Sequence, residues 1–91
     1  MASTKEKLIE QQTLQERCLQ SGIRMTNQRR LLANVLDASA DHPDVDTIYQ
    51  RCKAKDKFTS IASVYRTLSI FEDSGLIEKL DVGDGKARFE I

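Results

Sequence analysis

The sequence predicts a mostly helical α+β fold in which the last helix leads directly into a β-hairpin. Ser60 is a good helix N-cap and Gly75 a good helix stop, and apolar residues recur between them at helical spacing. Residues 76–91 then read as two strands joined by a turn that contains Asp84 and Gly85. Further capped segments with helical spacing precede this region, so most of the predicted secondary structure is helical.

The first predicted helix spans about residues 13–21, and residues 1–12 are either an N-terminal extension or its first turns. Leu14 and Cys18 give the later segment an apolar side, whereas no clear stripe precedes it. Two capping boxes compete for the helix start. They are Ser3 with Glu6 and Thr13 with Glu16.

The second and third helices are also predicted from their caps. Gly22 closes the first helix, and Thr26 starts the second, which ends near Asp37. The third begins at Asp44, and we expect it to run into a lysine-rich loop. The members of that loop are Lys53, Lys55 and Lys57.

The fourth helix, residues 60–74, separates an apolar stripe from a polar face. The polar face carries Arg66, with Tyr65 at its border, and it is otherwise short-chained enough to enter a DNA major groove. In an arbitrary helix, however, such residues are more often a core-edge aromatic and an ordinary solvated charge. The stripe consists of Ile61, Val64, Leu68 and Phe71.

This order of elements is that of a winged helix-turn-helix, with three to four helices followed by a two- to three-stranded wing. The 91 residues form one domain, to which we assign residues 13–91. The fourth helix occupies the recognition position. Lys86 at the hairpin tip and Arg88 on its outer face could touch a phosphate backbone, although exposed cations often only confer solubility.

Composition restricts the function. The 14 basic and 14 acidic residues cancel, so the chain is not a generally cationic nucleic-acid binder, and any DNA site must be locally basic. One such cluster lies at residues 24–30. No signal peptide or membrane-length apolar run is evident, so we expect a cytoplasmic protein. Cys18 and Cys52 are expected to be buried thiols, with a disulfide as the less favoured alternative.

Five blocks of the sequence resemble the N-terminal domain of the ferric uptake regulator family, in the family's order over roughly residues 13–91. The resemblance implies a metal-dependent, dimeric bacterial transcriptional regulator, often a repressor, that binds A·T-rich inverted-repeat operators upstream of metal-homeostasis genes. The blocks are RMTNQRR at 24–30, HPDVDTIY at 42–49, SVYRTL at 63–68, FEDSGLI at 71–77 and RFEI at 88–91.

The resemblance also assigns DNA contacts to six side chains. Tyr65 and Arg66 would contact bases and the adjacent phosphate. The other four would hold the duplex around them: Arg24 in the A·T-rich minor groove, Arg29 on the backbone, and Ser60 and Ser63 on phosphates at the helix start.

His42 and Glu90 match family positions that bind the regulatory metal. One imidazole and one carboxylate are half of a site for Fe, Mn or Zn, so we expect no firmly held metal in this fragment. Without the resemblance, His42 is an ordinary solvated loop residue. The family's C-terminal dimerisation domain is not contained in these residues, so we expect an isolated DNA-binding domain that is monomeric and binds its operator weakly.

Two other functional classes were weighed against DNA binding. An enzyme is not expected, because a single histidine and no nucleophile motif leave catalysis few candidates. The rival is a winged helix that mediates a protein–protein interaction. In that case an exposed apolar residue that lies off the stripe, such as Ile70, would carry the interface.

Overall fold

The computed structural model describes residues 12–81 and 83–91, and within them it contains four helices and one antiparallel pair of strands. This confirms the predicted fold class. None of the described helices is long and apolar enough to cross a membrane. The elements are α1 (Leu14–Gln20), α2 (Asn27–Asp37), α3 (Val45–Lys55), α4 (Ile61–Asp73), β1 (Glu78–Asp81) and β2 (Ala87–Glu90).

Each helix begins at a side chain that accepts a hydrogen bond from a first-turn backbone N–H group. Such a bond satisfies one of the donors that a helix start leaves without a partner. The sequence predicts all four caps, and the structure confirms them; the competing Ser3–Glu6 box lies outside the described residues. The caps are Thr13, Thr26, Asp44 and Ser60.

The core lies where α4 packs against α2 and α3. From the predicted stripe, Val64, Leu68 and Phe71 are buried, whereas Ile61 at its N-terminal end is 40% exposed, so the stripe is not buried along its whole length. Helical side chains lean toward the helix N-terminus, and Ile61 in the first turn therefore extends past the edge of the core. Thr67 is buried instead.

The third helix is longer than the sequence suggests. It continues through Lys55, so Lys53 and Lys55 lie in its last turn rather than in the predicted loop, and only Lys57 lies beyond it. Cations are favourable there because the last helical carbonyls carry partial negative charge. The Lys53 ammonium also donates a 3.0 Å hydrogen bond to the Tyr49 hydroxyl one turn earlier.

The two cysteines pack in the interior as free thiols. Burial raises the pKa of the Cys18 thiol, and it raises the pKa of Cys52 to about 11. Both groups therefore remain protonated at neutral pH and act as small apolar side chains. This agrees with the prediction of buried thiols.

The wing is a short hairpin attached to the segment before α3. Gly83 and Gly85 take the positive φ angles of its turn. The Phe89 N–H group donates to the Pro43 carbonyl oxygen at 3.1 Å, and an isolated bridge pairs Asp44 with Arg88. The wing therefore has two strands, within the predicted two to three, and the isolated bridge joins it to the residue that caps α3.

Candidate nucleic-acid interface

The start of α4 is closed by two serines that bind one another. The Ser60 hydroxyl accepts from the Ser63 N–H group at 3.2 Å and donates to the Ser63 hydroxyl at 3.1 Å. The Ser63 hydroxyl in turn donates to the Ser60 carbonyl oxygen at 2.9 Å. Both hydroxyl protons are thus used within the cap, so a phosphate at this end would be bound mainly by backbone N–H groups or after a hydroxyl has rotated.

Tyr65 and Arg66 lie on the exposed side of α4. The Tyr65 side chain is 56% exposed, and Arg66 is also exposed. No acidic residue occurs between residues 57 and 71, so the Arg66 charge is not neutralised by its neighbours in the sequence. Both predicted base-contacting groups are therefore presented to solvent by a helix whose other side is anchored in the core.

The predicted minor-groove residue Arg24 and the predicted backbone-binding residue Arg29 lie close to the start of α2. The Arg29 guanidinium donates a 2.7 Å hydrogen bond to the Arg24 carbonyl oxygen, while the Arg29 N–H group donates to the Thr26 cap. These bonds fold the Arg29 side chain back onto the loop and fix the backbone that carries the exposed Arg24 side chain. A guanidinium has five donors, so Arg29 keeps others for a phosphate.

Asp56, the residue that ends α3, connects the start of α2 to the loop that leads into α4, a link that sequence reasoning missed. One of its carboxylate oxygens accepts from the Gln28 amide at 3.1 Å, and the other accepts from the Phe58 N–H group at 3.0 Å. The second bond is an Asx turn, for which an aspartate two residues before Phe58 is a recognisable local signal. The bond to Gln28 spans 28 residues and has no such signal.

His42 and Glu90 are brought together at the base of the wing. The His42 Nε2 atom lies 3.0 Å from the Glu90 Oε2 atom, and His42 adopts a left-handed backbone conformation with φ of 48°. A separation of 3.0 Å is that of a direct contact between the two side chains, and since two ligands of one tetrahedral zinc ion lie about 3.4 Å apart, the two atoms would have to separate slightly to share an ion. Among the described residues, no three His, Cys, Asp or Glu side chains cluster to form a larger set.

The wing cations are partly occupied by their own acidic neighbours. The Arg88 guanidinium lies 3.1 Å from a carboxylate oxygen of Asp84, whose other oxygen accepts from the Lys86 N–H group. These hydrogen bonds, first that from the Lys86 backbone and then that from Arg88, hold the pKa of Asp84 below its usual range. Among the described residues of the hairpin tip, Lys86 keeps an exposed cationic side chain.

Ile70 does not form the exposed apolar contact that the protein-partner alternative requires. It is half-buried and packs against the core. Ile70 lies off the stripe but contacts neighbouring elements, because α4 packs against both α2 and α3 and therefore buries an arc wider than one stripe; the exposure assumed in the protein-partner alternative is not found.

A family comparison establishes the relationship that these features indicate. The model of the ferric uptake regulator family matches residues 20–91. The chain belongs to this family. Ferric uptake regulator family members are transcriptional regulators rather than enzymes, and the winged helix-turn-helix described above is that of their N-terminal domain.

Individual relatives agree with the family assignment. The chain is 49% identical over 78 residues to the ferric uptake regulation protein of Rhizobium leguminosarum bv. viciae, a match that covers 86% of this chain and 55% of the relative. Two solved structures, a manganese uptake regulator and its zinc-bound form, are each 47% identical, with TM-scores of 0.80 and 0.84. These matches cover 86% and 87% of this chain and 57% and 60% of theirs. The chain thus spans a little over half the length of these relatives.

Proposed function

We propose that this chain is the DNA-binding unit of a metal-responsive transcriptional regulator and that α4 reads double-stranded DNA in the major groove. The observation that carries the proposal is the placement of Tyr65 and Arg66 on the exposed side of a helix whose opposite side is buried in the core. An arginine can bind a guanine edge through two parallel hydrogen bonds, and a tyrosine can contact a thymine methyl group.

The start of α2 supplies the second part of the proposed interface. Arg24 extends into an A·T-rich minor groove, where a narrow groove concentrates negative potential. Arg29 and the α4 cap formed by Ser60 and Ser63 hold phosphates, which fixes the register of α4 on the duplex. The Gln28–Asp56 hydrogen bond ties the start of α2 to the end of α3, from which residues 57–60 lead into α4.

The biological operator is an A·T-rich inverted repeat bound by a homodimer of the whole regulator. The 91-residue chain alone is expected to be monomeric and to bind one half-site weakly, because a second linked head raises affinity through effective concentration. The genes it controls belong to metal homeostasis, in line with the names of its relatives.

The proposed metal input reaches this domain through His42 and Glu90. A neutral imidazole and a carboxylate suit a divalent Fe, Mn or Zn ion, and a slight increase in their 3.0 Å separation would let them bind the same ion. Two donors are half of a tetrahedral set, so further ligands beyond this pair are required. A bound cation would supply charge that draws the base of the wing toward those ligands.

The test is a DNA-binding titration at several salt concentrations. Duplexes selected from a random library by the chain itself provide the operator half-site. Contacts with several phosphates predict that the logarithm of affinity falls linearly with the logarithm of salt concentration. Arg66→Ala should weaken binding about tenfold or more, since a good bidentate base contact is worth about 1–3 kcal/mol.

Arg17→Ala is the matched control, because it removes the same charge from α1, outside the proposed interface. It should change affinity little, and both variants should show the circular dichroism and thermal unfolding of the parent chain. Equal losses for the two variants would mean that only net charge matters. Failure to enrich any duplex at low salt would remove DNA binding as the function of this domain.

A further inference from the structure

The exposed apolar side chains of this domain are concentrated at the start of α4. Among the described residues, five large hydrophobic side chains are exposed, and three of them fall within residues 58–65. Contiguous exposed apolar surface usually marks a binding site, because leaving it in water is unfavourable. The three are Phe58 at 81%, Ile61 at 40% and Tyr65 at 56% exposed.

Ile61 and Tyr65 are neighbours at the border between the exposed and the buried side of the helix. They are four residues apart, so their side chains differ by about 40° around the helix axis and are one turn apart along it. Tyr65 belongs to the proposed DNA-reading surface. Ile61 therefore lies beside it, nearer to the helix N-terminus, on a stretch that carries cations at Lys57 and Arg66 but no acid between residues 57 and 71.

The apolar group that a major groove offers is the thymine 5-methyl. Isoleucine presents methyl groups on a β-branched side chain with restricted rotamers, so contact with it costs little conformational entropy. The cations Lys57 and Arg66, with no acidic residue between residues 57 and 71, favour an anionic partner such as DNA over an uncharged apolar protein surface. The combination of an exposed methyl-bearing side chain and flanking cations thus fits duplex DNA.

We propose that Ile61 is a specificity-determining residue that contacts the methyl group of a thymine next to the base read by Tyr65. This inference rests on the proposed DNA-binding function and adds a base contact to it. It also explains why Ile61, which belongs to the apolar stripe of the helix, is partly exposed to solvent.

The experiment replaces thymine by uracil, which removes only the 5-methyl group. Half-site duplexes selected by the unmodified chain are synthesised with deoxyuridine at each thymine in turn, and their affinities for the chain and for Ile61→Ala are compared. At one position the unmodified chain should lose roughly fourfold in affinity, the factor expected when one methyl group no longer becomes buried. Ile61→Ala should bind the thymine and uracil duplexes at that position equally.

This double comparison separates a base contact from a structural effect. A variant that was merely less stable would bind both duplexes less well by the same factor, so its preference for thymine would persist. Leu19→Ala is the matched control, because Leu19 is also exposed, at 56%, but lies on α1. It should keep the full thymine preference at every position.

Each outcome decides the proposal. Loss of thymine preference at one position in Ile61→Ala, and not in Leu19→Ala, supports it. A thymine preference that is unchanged in Ile61→Ala, or the absence of any such preference in the unmodified chain, overturns it while leaving DNA binding intact. If no duplex binds at low salt, the proposed function itself has failed, which is a different result.

Discussion

The recognition helix α4 and the wing differ in how they are attached to the rest of the domain. The α4 helix is held by its buried side, with Val64, Leu68 and Phe71 in the core. The wing contributes mainly Phe89 to that core, and its outer surface is held by polar contacts. The contacts to the rest of the domain include the His42–Glu90 pair and the backbone bond to Pro43, whereas the Arg88–Asp84 pair lies within the hairpin itself.

This difference separates two tasks. A helix anchored by apolar burial keeps its position when charges change, so its exposed cations are available for DNA without weakening the fold. A hairpin anchored by exposed ion pairs responds to pH, salt and bound cations. Any cation that engaged His42 and Glu90 would therefore act on the wing and only indirectly on α4.

The largest expected effect is the loss of α4 anchorage in Phe71→Ala. Phe71 is completely buried, and truncation of a buried phenylalanine typically costs about 3–5 kcal/mol. That is a large share of the stability of a small domain, so helical signal and DNA binding should be lost together. Urea unfolding followed by circular dichroism measures the change.

The control for that prediction is Phe58→Ala, which removes the same side chain from a position that is 81% exposed. It should change the free energy of unfolding by about 0.5 kcal/mol or less, as is usual for surface substitutions. If the two variants were equally destabilised, burial would not be what holds α4, and the contrast with the wing would fail.

The next effect concerns the polar link at the start of α4. Asp56→Ala removes both the Asx turn to Phe58 and the bond to Gln28, and it should lower the free energy of unfolding by about 1–2 kcal/mol. Gln28→Ala removes the bond between helices alone. It should therefore cost less stability while still loosening α4 relative to Arg24.

Stability and DNA affinity together distinguish the two roles of Asp56. If the link positions the interface, Gln28→Ala weakens binding to the selected half-site by more than its small loss of stability explains. Unchanged affinity in Gln28→Ala would show that α4 is positioned by its core contacts alone, which would sharpen the distinction between α4 and the polar attachment of the wing.

The helix starts could be predicted from the sequence because capping is local. Thr26 and Ser60 each accept from a backbone N–H group three residues later, so the whole interaction lies within one short segment. The same locality made the wing glycines recognisable. It also placed Tyr65 and Arg66 on one helix, although their contacts with DNA remain predictions.

The errors arose where burial depends on neighbours that are distant in the sequence. Ile61 matched the stripe but lies beyond the edge of α2 and α3, and Ile70 lay off the stripe but is covered because α4 packs on two helices. Asp37 is a further case. Both of its carboxylate oxygens accept from the Leu14 N–H group of α1 at 3.0 Å, a cap provided across 23 residues.

A smaller effect should follow from releasing the Arg88 guanidinium of the wing from its ion pair with Asp84. Asp84→Asn keeps an oxygen for the Lys86 N–H group but removes the negative charge paired with Arg88. DNA affinity at low salt should rise about two- to threefold, since one more cation can approach phosphate, and the gain should vanish at high salt. Fluorescence anisotropy with the selected half-site is sufficient to measure it.

Arg88 itself provides the control for this gain. In the double variant Asp84→Asn with Arg88→Ala the increase should disappear, whereas Arg88→Ala alone should weaken binding little because Asp84 already neutralises the guanidinium. A gain that persists without Arg88 would mean that removing acidic charge anywhere on the wing is enough, and the specific ion pair would be irrelevant to DNA binding.

The smallest effect is a pH dependence in the loop that supports the wing. The Arg51 guanidinium forms two hydrogen bonds with Asp41, at 2.9 and 2.6 Å, and it lowers the pKa of that carboxyl to about 2. The unfolded value is about 3.9, so the pair contributes stability above about pH 4 and loses it as the pH falls toward 2. Because the groups are exposed, the contribution is small and decreases with added salt.

Asp41→Asn tests whether this ion pair anchors the wing. The variant should lack the part of the acid destabilisation that depends on Asp41, and hydrogen exchange at neutral pH should be faster at the Phe89 N–H group, which is bonded to the adjacent Pro43, than in the parent. Amide hydrogen exchange in the middle of α4 should stay unchanged, because apolar burial holds that helix.

Asp46→Asn is the control, because it removes an equal charge outside the pair and should leave the exchange rates of both regions unchanged. Equal acceleration in α4 and the wing would show that the two share one mode of attachment, and the division of tasks between them would no longer hold.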